Sequence, residues 1–82
     1  HGIDIKMYPN PTTGQIIVET GIPDQHGLIK AEVFNSAGLL VASSGSELPS
    51  FLLDLSGLPS GLYLVKLSHG GISHFRKVLK HQ

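Results

Sequence analysis

Between Leu55 and Leu67 the chain reads Leu-Ser-Gly-Leu-Pro-Ser-Gly-Leu-Tyr-Leu-Val-Lys-Leu. A tight polar turn runs straight into the most apolar stretch of the sequence, and no other feature limits the fold as strongly. Pro59 fixes its own φ and drives Leu58 toward extended backbone. Gly57 and Gly61 supply positions where a positive φ carries no steric cost. From Leu62 to Leu67 only Lys66 is polar. A short apolar run bounded by turn residues predicts a strand buried on both faces. Tyr63, Val65 and Leu67 fall on one side, Leu62 and Leu64 on the other. The remaining chain has to supply covers for both.

Its pattern is that of strands. Gly2 to Tyr8 alternates, with Ile3, Ile5 and Met7 set against Asp4 and Lys6. Pro9-Asn10-Pro11-Thr12-Thr13-Gly14 then forces a turn, in which Asn10 can bond its own backbone. Gln15 to Thr20 is a second strand with Ile16 and Val18 inward and Ile17 outward. Gly21 to Gly27 is a polar loop. Leu28–Asn35 and Leu39–Ser44 form a hairpin whose link, Ser36-Ala37-Gly38, suits a short loop with glycine at the left-handed position. Leu39-Leu40-Val41 is apolar on both sides. After a Ser/Gly/Pro loop comes a short strand, Phe51 to Leu55, then the strand from Leu62. Gly70-Gly71 suits a two-residue turn of the primed type, and Ile72 to Lys80 is the last strand. There Phe75 and Leu79 share a face with Lys77 while Val78 shares one with Arg76. That imperfect pattern suits an edge strand, on which lysines discourage stray pairing.

Seven short strands with turns at regular spacing, and no sustained helical period, predict an all-β fold, an antiparallel β-sandwich of immunoglobulin-like type. Eighty-two residues make one domain with a thin core. Without cysteine no disulfide can staple it, and thiol or Cys-based metal chemistry is excluded. No apolar run approaches the ~20 residues of a membrane-spanning helix, and no signal peptide opens the chain. Formal charge is zero, which does not fit a nucleic-acid binder. It is unevenly spread, however. All six acids lie at or before Asp54, beside only Lys6 and Lys30, whereas Lys66, Arg76, Lys77 and Lys80 all follow.

Catalytic chemistry is hard to place. The acids Asp4, Glu19, Asp24, Glu32, Glu47 and Asp54 are scattered, with no close pair for acid–base work. The serines sit in turns, where turn chemistry accounts for them, and no Gly-x-Ser-x-Gly elbow occurs. The five histidines, His1, His26, His69, His74 and His81, read as exposed loop and edge residues rather than metal ligands. No cofactor and no metal are expected. Tyr63 has two readings: a recognition residue, or a core aromatic whose hydroxyl bonds a loop backbone as in the tyrosine corner of sandwich domains. The second is the stronger. Arg76, Lys77 and Lys80 read either as a solvated edge or as a handle for an acidic partner.

Three groups of residues resemble the type A C-terminal sorting domain of the type IX secretion system. They are Tyr8, Pro9, Asn10 and Pro11; Leu55, Leu58, Gly61 and Tyr63; and the basic strand Arg76 to Lys80. Their order and spacing match over roughly residues 3 to 82, with Gly14 and Gly38 as turn positions. The resemblance implies a non-catalytic signal at the C-terminus of a larger protein, occupying residues 1–82 as a single sandwich. It implies passage through the periplasm and across the outer membrane of a Gram-negative bacterium, to the surface or the medium. The implied partners are the outer-membrane machinery, a sortase-like peptidase that removes the signal, and the upstream cargo. Arg76, Lys77, Lys80, Gly61 and Tyr63 are the expected recognition residues. The alternative is an adhesion or carbohydrate-binding sandwich, a module that usually exposes aromatic side chains. Tyr8, Phe34, Phe51, Tyr63 and Phe75 all fit core alternation, which counts against it.

Overall fold

The computed structural model describes residues 4–21 and 27–82. It holds seven strands: β1 (Lys6–Tyr8), β2 (Gln15–Glu19), β3 (Ile29–Phe34), β4 (Leu40–Ser46), β5 (Ser50–Asp54), β6 (Gly61–His69) and β7 (Ile72–Lys80). There is no helix among the described residues. The strands form two antiparallel sheets, β1-β2-β5 and β4-β3-β6-β7. The hairpins β1–β2, β3–β4 and β6–β7 each stay in one sheet, while the links after β2, β4 and β5 change sheet. This is the immunoglobulin-like sandwich that the strand pattern predicts.

Alternation sets the core. Ile16, Val18 and Leu53 of the smaller sheet meet Ala31, Val33, Tyr63, Val65, Leu67 and Val78 of the larger one in a single buried cluster. Each lies two residues from the next inward side chain on its strand, the spacing that puts side chains on one face. Ile5 and Leu55 close the layer, and Met7, Phe51 and Leu58 pack on it partly buried. The turns follow their residues. Gly38 has φ +83° and Gly61 φ +155°, and no atom other than chain neighbours lies within 4 Å of a Cβ built at either. Glycine is therefore required there by backbone conformation and not by crowding. Gly57, also expected at a positive φ, does not have one.

Two expectations are overturned. β6 is buried on one face only. Tyr63, Val65 and Leu67 are buried, but Leu62 is 49% exposed and Leu64 half-buried, because a two-layer sandwich has no third layer for the far side. Leu39 and Leu40, read as apolar on both sides, are likewise exposed. The aromatic side chains also do not all join the core. Tyr8 is 41% and Phe75 51% exposed, Phe34 and Phe51 are half-buried, and only Tyr63 is fully enclosed. The first strand is shorter than its pattern, beginning at Lys6, and residues 1–3 and 22–26 lie outside the described region.

Candidate functional site

At one end of the sandwich the Tyr8–Gly14 turn, the Leu55–Gly61 turn and the end of β7 come together. The Tyr8–Pro9 and Asn10–Pro11 peptide bonds are both cis. Between the two prolines Asn10 does not bond its own backbone as expected. Its Nδ2 donates to the Lys77 carbonyl at 2.9 Å, and its Oδ1 accepts from the Leu79 N–H at 3.0 Å. The side-chain amide thus stands where a neighbouring strand's peptide group would stand along the edge of β7. Two residues on, the Thr12 N–H donates to the Leu79 carbonyl (2.9 Å), and the His81 N–H donates to the Thr12 carbonyl (2.8 Å). Thr12 is fully buried. Its hydroxyl donates to the Gln15 carbonyl and accepts from the Gly14 N–H, which closes the turn on itself.

The second turn docks on the first. The Leu55 N–H donates to the Gly14 carbonyl at 2.8 Å. A Cβ at Gly14 would meet the Ser56 Cβ at 3.0 Å and its Cα at 3.3 Å, so glycine lets the two turns approach this closely without pushing Ser56 aside. The Asp54 carboxylate accepts from the Ser56 N–H, and the Leu58 N–H donates to the Leu55 carbonyl. The Ser56 hydroxyl, and after it the Ser56 N–H, hold the Asp54 carboxyl below the ordinary carboxylate range. Tyr63 is 5% exposed, and its hydroxyl donates to the Pro59 carbonyl four residues upstream. Near the start of β6, this has the geometry of a tyrosine corner. Beside this end, the exposed Tyr8 hydroxyl donates to the Glu19 carboxylate, which raises the phenol's pKa above its ordinary value.

The residues that converge here lie in separate parts of the chain. The model for the secretion system C-terminal sorting domain matches residues 6–81. The chain belongs to that family. Its members are C-terminal signals for type IX secretion, so the chain is such a signal, and that function implies export to the cell surface or beyond it. Karilysin of Tannerella forsythia is 29% identical over 83 residues. The alignment covers 90% of this chain but only 18% of karilysin, so the sorting domain spans about a fifth of that relative's length.

The sorting domain does not gather Arg76, Lys77 and Lys80, the basic residues expected to serve recognition, on one face. Tyr63 pairs with Val78, Val65 with Arg76 and Gly61 with Lys80, which sets Arg76 and Lys80 on the inner side of β7 and Lys77 on the outer side. Lys80 is only 6% exposed, since the Thr12 segment runs alongside it in a parallel bridge. Arg76 and Lys77 are exposed. Nor are all the histidines exposed. His69 and His74 are half-buried, the latter with a buried Nε2 that has no hydrogen-bond partner, while His1 and His26 lie outside the described residues. Among the described residues no three His, Cys, Asp or Glu side chains cluster as metal ligands would.

Sequence reasoning missed the outer face of the larger sheet. Phe34, Leu64 and Lys77 lie in one cross-strand row, and Lys66 and Phe75 are opposite each other in the next. Together with Leu62 they line a shallow groove of about 530 Å³ beside the β3–β4 turn. The signal lies in the outward alternates of β6, which the continuous apolar run predicts to be covered, and in those of β7, whose broken pattern reads only as an edge strand. Thr12 was missed as well, although Thr-x-Gly is a recognisable side-chain-closed turn.

Proposed function

We propose that the domain works without chemistry of its own, as a folded address label at the C-terminus of a longer cargo protein. The machinery in the outer membrane reads it after the cargo has reached the periplasm, and a sortase-like peptidase then removes it. The observation that supports this reading is the interlock of the three motif segments. Asn10 and Thr12 hold the last residues of β7 in register, and the Leu55–Gly61 turn is seated on Gly14. A receptor that engaged this surface would meet a rigid shape, which lowers the entropy cost of recognition. In this reading Tyr63 and Gly61 act by keeping that shape. Of the three basic residues in the last strand, Arg76 and Lys77 are exposed and within a partner's reach, and Lys80 is part of the scaffold.

The test is a fusion of the domain to a reporter carrying its own periplasmic leader, expressed in a host with type IX secretion. Reporter at the surface or in the medium, shortened by the mass of the domain, is the expected result. Reporter that stays in the periplasm overturns the sorting role. Full-length reporter at the surface leaves sorting in place and removes the peptidase.

A further inference from the structure

We infer that the outer face of the four-stranded sheet is the docking groove for an extended segment of the export machinery that carries both apolar side chains and carboxylates. The inference rests on the sorting role. It names the part of the domain that is read and the chemistry that reads it.

The first support is exposure. Leu62 and Phe75 are about half exposed, and Phe34 and Leu64 stand half-buried beside them on a face that no other strand among the described residues covers. Contiguous apolar side chains on a solvated sheet face mark an interaction surface more often than chance would place them there. The second support is charge. Lys66 and Lys77 rise from the same face. Glu32 stands across from Lys66 in register, but its carboxylate lies 3.7 Å from Lys30 on its own strand. Among the described residues, neither Lys66 nor Lys77 has a carboxylate within salt-bridge distance. Two cations without counter-charges, set among apolar side chains, complement an acidic and apolar partner.

Spacing selects the form of that partner. Lys66 pairs with Phe75 and Leu64 with Lys77, so the two lysines are diagonal neighbours on adjacent strands. Such neighbours lie roughly 7–8 Å apart. In an extended segment, side chains two residues apart share a face and are separated by about 6.6 Å. Two carboxylates at positions i and i+2 therefore match the lysine pair, and apolar side chains flanking them reach Phe34, Leu62 and Phe75.

The test uses the whole chain fused to two unrelated periplasmic reporters in a type IX-competent host. Lys66→Glu/Lys77→Glu and Leu62→Ser/Phe75→Ser are each expected to reduce export of both reporters tenfold or more. Lys66→Arg/Lys77→Arg is expected to keep export within twofold of wild type, as is Leu52→Ser on the outer face of the smaller sheet. Urea midpoints of the purified domains establish that each variant folds. Lys66→Ser/Lys77→Ser, which removes charge without reversing it, is read where the Glu pair does not fold, and is expected to lose export likewise. Retention of the wild-type fusions overturns the sorting role itself. Normal export of the Glu, Ser or apolar-to-Ser variants, with wild type exported, overturns the groove alone. Loss with only one reporter shows that cargo, not machinery, packs on the face. A wild-type dimer in sedimentation that the variants disperse assigns the face to a second copy. Either of these last results also overturns the proposal.

Discussion

The two faces of the β6–β7 hairpin are made from the same short stretch and differ in what covers them. Inward, Tyr63 and Val78 pair, Leu67 lies opposite His74, and Val65 is fully enclosed. Outward, Leu62 pairs with Leu79, Leu64 with Lys77 and Lys66 with Phe75, and each pair has at least one exposed member. The residue types are nearly interchangeable, since leucine and an aromatic occur on each side. What separates them is the second sheet, which lies against one face only. The inward side chains therefore contribute to stability, and the outward ones are free to contribute to binding. A hairpin read only as hydrophobic hides that division.

The sharpest break in the comparison comes from Tyr63. Tyr63→Ala removes a ring that is almost wholly enclosed and is expected to cost about 3–5 kcal/mol, which approaches the entire stability of many small domains. Tyr63→Phe keeps the ring and loses only the bond to the Pro59 carbonyl, for about 0.5–1.5 kcal/mol. Urea unfolding of the pair separates ring from hydroxyl. A loss below about 1 kcal/mol for the alanine variant would show that the inner face does not depend on this aromatic residue.

Next in size is Asn10, which fixes the hairpin's free edge and so holds the two faces in register. Asn10→Ala deletes the bonds to the Lys77 carbonyl and the Leu79 N–H. Both are at an exposed edge, where water can replace them, so the expected cost is about 1–2 kcal/mol. Its signature is local: amide exchange at Leu79 should accelerate more than exchange at Val65 in the middle of β6. Equal acceleration at both sites would mean that the variant only lowers global stability and that the clamp has no separate role.

How far the sequence disclosed all this depends on the range of each interaction. The hairpin at Gly38, the Gly70-Gly71 turn and the inward alternates of β2, β3 and β6 were legible, because each is decided within a few residues. The tyrosine corner was legible too, since its donor and acceptor are four positions apart. Burial of Lys80 was not, because its cover comes from Thr12, far along the chain. The use of Asn10 was hidden for the same reason: turn residues are expected to bond locally, and this one bonds a strand more than sixty residues away. The outer groove was obscured differently. Continuous apolar character implies two covers only if the fold has three layers, and a chain of 82 residues builds two.

A smaller effect sharpens the contrast from the outer side. Leu62→Ser replaces a half-exposed side chain on the uncovered face, and is expected to change stability by no more than about 0.5 kcal/mol. The Tyr63→Ala loss, one residue away, is several times larger. If urea unfolding gave Leu62→Ser a cost comparable to an inner-face truncation, the outer face would have to be packed after all, and the division between folding and binding would fail.

The smallest expected effect lies in the turn that leads into β6. The Asp54 carboxylate accepts from Ser56, whose hydroxyl and N–H hold its pKa below the ordinary value in the folded chain. A carboxyl whose folded pKa is depressed binds a proton more readily when unfolded. Its contribution is therefore fully present above the unfolded pKa, and it is lost as pH falls through the folded one. The window lies below about pH 4, where an unfolded aspartate titrates. Because the group is solvent-exposed, the contribution is small. Wild type and Asp54→Asn, compared by urea midpoint at pH 6 and again at pH 3, isolate it. The asparagine can still accept from the Ser56 N–H but cannot titrate, so wild type should lose slightly more stability over that interval than the variant. Identical losses would show that the bond to Ser56 does not couple the turn to folding, leaving Gly14 and Tyr63 to seat it on the hairpin.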